Sequence, residues 1–295
     1  MKGFLSKFIP LLLLVALVMC VSACDAGKLW GYMTGEGIGD YEVAEDESDL
    51  VYNRGTVEIT QNSLADTIED ILPSVVDISC SATYRPTYGF GSAQQFTMTG
   101  SGVVISEDEN YIYILGSYQT MYFPQTKITQ NGNYSLYGMV TVVVTFMDGL
   151  QCQATFVKFI PTADTGLIKV DKSALGSEYE VATPPDSWSI KDGDEIIAIS
   201  NPLGVLGGTV TTGIMSAERL MELSDELTIE VLQTDAEITV NSGGILFSTS
   251  GKLVGVVYAK AVGEGIEGLT FAIPVDNMLY AYHSEGFLEG VVIGE

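Results

Sequence analysis

One histidine, His283, occurs in 295 residues, and 13 Lys and Arg stand against 38 Asp and Glu. A lone imidazole cannot supply a multi-histidine metal site, and the cysteines and histidine show no ligand spacing, so no metal is expected. The shortage of cations leaves a formal net charge of −25, which repels phosphate and excludes nucleic acid as a partner. No P-loop or dinucleotide fingerprint is present, so no cofactor is expected. Apolar runs long enough to approach a membrane span are missing after Val21, and no repeat of solenoid or propeller period is visible.

What is present begins with an address. Lys2 and Lys7 precede an apolar run from Phe8 to Val21, which meets Val21-Ser22-Ala23-Cys24. A basic start, a short apolar stretch and small residues at its end describe an export signal over residues 1–23, cut rather than retained. The tetrapeptide VSAC resembles the lipobox of bacterial lipoproteins, which implies a lipid on Cys24 and an extracytoplasmic place at the outer face of the cytoplasmic membrane. Removing the leader takes away two lysines and no acid, so the formal charge becomes 11 − 38 = −27. With no basic patch left, the lipid must supply the membrane attachment.

Residues 24–61, rich in Gly, Asp and Glu, have neither helical nor strand periodicity and read as an acidic tether. Asn62 or Ser63 can cap a short helix whose apolar positions Leu64, Ile68, Ile71 and Leu72 follow the three-to-four spacing up to Pro73. From Ser74 the pattern becomes short β-branched and aromatic runs: SVVDIS, SGVVIS, YIYIL, VTVVVTF, ATFVKFI, TGLIKV, EIIAIS, TVTTGIMS, TIEVLQT, KLVGVVY and LTFAIP. Turn pairs such as Asp148-Gly149 and Asp192-Gly193 separate several of them, which predicts an all-β barrel or sandwich. A closing helix is expected over 275–286. Cys80 and Cys152 fall within this part, and two states stand open for them: a disulfide, permitted by an oxidising compartment, or two free thiols used as small hydrophobes.

Eight motifs carry the sequence further: LPSVVDIS at 72–79, TGSGVVIS at 99–106, GDEIIAISNPLG at 193–204, TVTTGIMSA at 209–217, LQTDAEI at 232–238, NSGG at 241–244, GKLVGVV at 251–257 and GLTFAIPVDNM at 268–278. Their content and order resemble the HtrA-type trypsin-like serine proteases over about residues 64–290. The resemblance implies a trypsin-like double six-stranded β-barrel within residues 62–295, with a short N-terminal and a C-terminal helix. Barrel one should fall at about 74–172, barrel two at about 190–275, and the active site in the cleft between them. Such proteins usually carry C-terminal PDZ domains, and the sequence to Glu295 shows none. They often form trimers, but nothing in 50–75 is diagnostic of that state.

A serine hydrolase needs a hydroxyl, a base, a carboxylate to orient the base, and backbone donors for the oxyanion. By resemblance Ser242 in Asn241-Ser242-Gly243-Gly244 is the nucleophile position, and Asp164 in ADTGLIKV the triad carboxylate. The family's histidine segment corresponds to Tyr113-Ile114-Leu115-Gly116-Ser117-Tyr118-Gln119-Thr120-Met121, with Gln119 at the histidine position. An amide cannot take a proton near neutral pH, and His283 lies in the closing helix. Before the serine the segment is one residue short, and Val240 stands where the family has a glycine, so the oxyanion donors of Val240, Asn241 and Gly243 are altered as well. Ala236, six residues ahead of Ser242, takes the position of the specificity-pocket floor and implies a small or medium apolar preference.

The expectation is therefore a lipid-anchored HtrA-like homologue that has lost proteolysis and binds a protein or extended peptide. One alternative is an active endopeptidase with a non-standard base, for which Lys158 and Lys169 are the lysines nearest the Asp164 segment. The other is a structural or assembly role with the cleft filled, for instance by the Tyr- and Asn-rich stretch 122–138.

Overall fold

The structure is a computed structural model describing residues 63–88, 91–129, 132–176, 178–184, 190–204, 207–224, 227–239, 243–261, 263 and 268–284. The export signal, Cys24 and the acidic tether lie outside the described residues, as do Val240, Asn241 and Ser242.

Thirteen strands are described. The first seven are β1 (Val75–Pro86), β2 (Gln94–Glu107), β3 (Tyr111–Ser117), β4 (Thr126–Thr129), β5 (Gly132–Thr145), β6 (Gln151–Ile160) and β7 (Thr165–Asp171). They form an antiparallel sheet in the order β1-β2-β3-β7-β6-β5-β4, and β1 also pairs with β5, so six strands return on themselves while β4 extends outside as a hairpin on β5. The remaining strands are β8 (Glu195–Ser200), β9 (Thr209–Ser224), β10 (Leu227–Thr234), β11 (Ile245–Ser248), β12 (Leu253–Lys260) and β13 (Thr270–Pro274), closed as β10-β13-β12-β11-β8-β9. The all-β double barrel expected from the motifs is what the chain forms.

Continuous apolar runs mark strands buried on both faces. On β2, Val104 points into the first barrel while Val103 and Ile105 pack in the core shared with the second. On β8, Ile196 and Ala198 fill the second barrel while Ile197 and Ile199 meet the first. Successive side chains alternate across a strand, so one run feeds two cores. This is why SGVVIS and EIIAIS carry no polar alternation.

Two strands escaped the sequence patterns. β11 has four residues, ILFS, directly after the NSGG segment, too short to show alternation. β4 and the first half of β5 lie in the Tyr- and Asn-rich stretch, whose polar residues hide a hairpin.

Helices hold the ends. α1 (Leu64–Ile71) starts at Ser63 with a capping box shared with Asp66, a device worth about 1 kcal/mol. Thr67 and Ile71 are its buried positions, whereas Leu64 is exposed, and Thr67 Oγ1 donates to the Thr249 carbonyl on the second barrel. A four-residue helix, α2 (Tyr118–Met121), follows β3. The closing helix α3 (Val275–Ser284) buries Tyr282, which hydrogen-bonds to the Lys158 carbonyl and to Thr165 beside Asp164. None of the described helices is long and apolar enough to cross a membrane.

Cys80 and Cys152 are both buried free thiols. Cys80 on β1 lies opposite Val142, and Cys152 on β6 opposite Val144, so all of β5 separates them. Two strand spacings are about 10 Å, beyond the Cα separation of about 7 Å that a disulfide spans. The thiols therefore serve as small hydrophobes, and burial pushes that of Cys80 up to about 12.

Candidate active site

A cleft of about 600 Å³ opens between the barrels. Its first-barrel wall includes Thr97, Met98 and Thr99 of β2 with Ser117, Gln119 and Thr120, and its second-barrel wall includes Ile238, Thr239, Gly243, Tyr258 and Lys260. No residue of 122–138 lines it, because that stretch is drawn away into the β4–β5 hairpin. Filling of the cleft by that stretch, which the sequence left open, is not what the described residues do.

Asp164 lies behind this cleft, bonded to its lining residues Ser117 and Gln119. It follows the one-turn helix Pro161–Ala163 and has φ +43°, the single positive-φ residue other than glycine among those described. Aspartate tolerates that conformation better than most side chains. Its residue is 5% exposed, and two donors hold its carboxylate: the Ser117 hydroxyl donates to Oδ2 at 2.8 Å and the Gln119 backbone N–H donates to Oδ1 at 3.2 Å, with the Gln119 side chain near enough to favour the charged form as well. The Tyr118 N–H donates to the Asp164 carbonyl at 3.0 Å. Burial pushes this carboxyl up to about 6, against the pull of those donors.

Ser117 and Asp164 come together because β3 and β7 pair with Ser117 opposite Thr165. Ser117 caps α2, its Oγ accepting from the Gln119 N–H at 3.2 Å while donating to Asp164. Gln119 is thus carried to the carboxylate by the strand end and the helix start together. A side-chain amide donates to the carboxylate as an imidazole N–H does, but no basic nitrogen faces the nucleophile side.

Gly243 has φ +61°, and a Cβ there would stand 2.7 Å from the Ser101 nitrogen. Gly243 is therefore pressed against β2 of the other barrel at a position only glycine fits. Ala236 is fully buried: its N–H donates to Thr234 Oγ1, its carbonyl accepts from Thr270 Oγ1, and Gly213 leaves room for its backbone. It does not line the described cleft.

The lysines considered as substitute bases are elsewhere. Lys169 Nζ lies 3.8 Å over the Tyr111 ring, and Lys158 is on β6, with neither in the cleft lining. His283 is exposed on the last turn of α3. Two cleft residues were missed from sequence. Lys260 Nζ donates to Glu237 Oε1 at 2.7 Å and to the Ile238 carbonyl at 2.9 Å, so its hydrogens bind acceptors that brace the segment before Ser242. Tyr258 stands close enough to Asp164 for that carboxylate to help burial raise its phenol. Both follow the KLVGVV motif directly, and continuing the strand past the motif would have found them.

Two antiparallel barrels, with a carboxylate network on one and a glycine-locked loop on the other, define a peptidase fold of the trypsin kind. Residues 100–256 match the model of the trypsin-like peptidase domain. The chain is 30% identical over 229 residues to the serine protease Do-like HtrA of Bacillus subtilis, covering 74% of this chain and 47% of that protein. It is 33% identical over 188 residues to the periplasmic serine endoprotease DegP of Escherichia coli, covering 63% and 35%. Among solved structures, the HtrA-type protease AlgW with a decapeptide superposes with a TM-score of 0.57 at 26% identity, over 75% of this chain and 67% of that one. The chain belongs to the HtrA-type trypsin-like serine protease family. It spans about half the length, or less, of these curated relatives.

Proposed function

We propose that this chain is an extracytoplasmic, lipid-anchored HtrA-type homologue that has lost general-base catalysis and uses its cleft to bind an extended peptide or protein segment. One observation carries it: Gln119 occupies the partner position of Asp164 while the cleft beside it stays open. Losing the base of a serine triad costs on the order of 10⁶ in kcat, and a misdirected oxyanion donor at Val240 costs about 10²–10³ where it still counts. A peptide is the natural occupant, since an extended chain can add along the strand Tyr258–Lys260 at the cleft wall. The AlgW structure is one with a decapeptide, and DegP is named a periplasmic protein, which support the occupant and the location.

The test is labelling of the full chain by a fluorophosphonate, with Ser242→Ala as control. No serine-dependent labelling, together with saturable binding of peptides from a library, is expected. Serine-dependent labelling and turnover would establish a working endopeptidase with another base and overturn the proposal.

A further inference from the structure

Carboxylates are spread unevenly over the chain. Between Asp77 and Asp148 there are three of the 38, Glu107, Asp108 and Glu109, and they gather at the β2–β3 turn, the opposite end of β2 from Gln94. The part of the first barrel around the β4–β5 hairpin thus carries no acid, and its charges are Arg85 and Lys127. Four of the ten exposed large apolar side chains among the described residues lie here, outside the cleft: Tyr88 at 87%, Ile128 at 83%, Tyr137 at 52% and Met139 at 89% exposure.

Register places several of these on one side. Thr83 lies opposite Tyr137, Ser135 opposite both Arg85 and Thr126, and Asn133 opposite Ile128. Cross-strand partners share a face and every second residue joins them, so Ile128, Tyr137 and Arg85 look outward together. The Arg85 guanidinium lies 3.4 Å from the Tyr137 ring centroid, a cation kept against an aromatic rather than against a carboxylate. On the second barrel the exposed Leu220 is instead surrounded by acids, with Glu218 and Glu222 on the same strand.

We propose that this acid-free outer face of the first barrel docks on a lipid bilayer, with Tyr88, Ile128, Tyr137 and Met139 entering the headgroup region. Anionic lipid repels the bulk of a mature chain of formal charge −27, and this face meets it without a carboxylate. Tyrosines suit such an interface because the ring is apolar and the hydroxyl wet. The inference rests on the lipid-anchor proposal. From Cys24 to Ser63 the chain reaches at most about 140 Å, whatever its conformation. Confinement within that distance raises the effective concentration of the bilayer, so a weakly binding face suffices.

The experiment uses the full lipidated chain on vesicles of phosphatidylethanolamine and phosphatidylglycerol. Ile128→Cys, Met139→Cys and Leu220→Cys, each carrying an environment-sensitive dye, report depth through a lipid-borne quencher. These three sites are exposed, and the buried thiols of Cys80 and Cys152 do not compete for the dye. Flotation with the vesicles and several-fold stronger quenching at 128 and 139 than at 220 are expected. Flotation with equal quenching at the three sites would overturn the docking face and leave the anchor standing. Failure to float would remove the anchor and the face with it. Dye responses at 128 and 139 that follow protein density rather than lipid would assign the face to a second copy of the chain, and also overturn it.

Discussion

The two barrels carry the two halves of a serine peptidase site, and they have changed in different ways. In the first, Ser117 and Gln119 donate to the Asp164 carboxylate, Tyr118 donates to its carbonyl, and the residue holds a left-handed backbone. What Gln119 does not offer there is a basic nitrogen. In the second, the described positions also persist, with Gly243 locked against β2 and Ala236 packed beneath, while the sequence puts Val240 where the family has glycine. On the function proposed above, Asp164 has a second role that does not depend on catalysis, as a hydrogen-bond hub joining β3, α2 and β7. Removing its donors or the acid would leave buried polar groups unsatisfied, at about 1–3 kcal/mol each.

If the first barrel lacks nothing but the base, restoring the base should restore chemistry. Gln119→His is expected to raise the rate of fluorophosphonate labelling at Ser242 by at least about 10²-fold, since a full base effect is on the order of 10⁶ and Val240 withholds part of it. Adding Val240→Gly should raise it by a further factor of about 10–10². Labelling rates of the single and double variants, with Ser242→Ala as blank, decide the matter. A folded Gln119→His protein that remains unreactive while the double variant labels would move the principal defect to the second barrel.

A smaller effect tests the carboxylate itself. Asp164 is pushed up to about 6 from 3.8 by burial, so between those values the folded chain binds its proton more tightly than the unfolded chain. Stability then falls as pH rises from about 4 to about 6 and stays low above that. The full contribution is about 3 kcal/mol by linkage. Asp164→Asn keeps an acceptor for Ser117 and has nothing to titrate, so its denaturation midpoint should depend less on pH than that of wild type over this window. Parallel profiles for the two proteins would mean that Asp164 titrates as it does in the unfolded chain.

Much of this was readable beforehand, and for a physical reason. Strands buried on both faces, such as EIIAIS, announce themselves by unbroken apolar composition, and loops that need positive φ announce themselves by glycine, as at Gly243 and Gly204. That Asp164 and Gln119 adjoin was readable because motif order fixes which strand ends meet. Lys260 and Tyr258 were not, since their roles depend on the path of β12 past its motif. The β4–β5 hairpin was hidden because its outward side mixes Thr126, Asn133 and Ser135 with Ile128 and Tyr137, which breaks the alternation, and its inner residues, Tyr134 and Leu136, are few. Pairing of Cys80 with Cys152 was open in sequence, because register cannot be counted along the chain: β1 and β6 are neighbours only through β5.

That register gives the smallest effect of the set. Were the two thiols bridged, reduction would cost about 2–4 kcal/mol, which for a domain of this size is a fall of about 5–15 °C in the melting midpoint. With β5 between them and both thiols free, reductant should move the midpoint by less than about 1 °C. The check is a thermal melt of the full chain with and without reductant. A drop of several degrees would require β1 and β6 to approach within about 7 Å, which the β1–β5 pairing forbids, and would therefore break the closure of the first barrel as well.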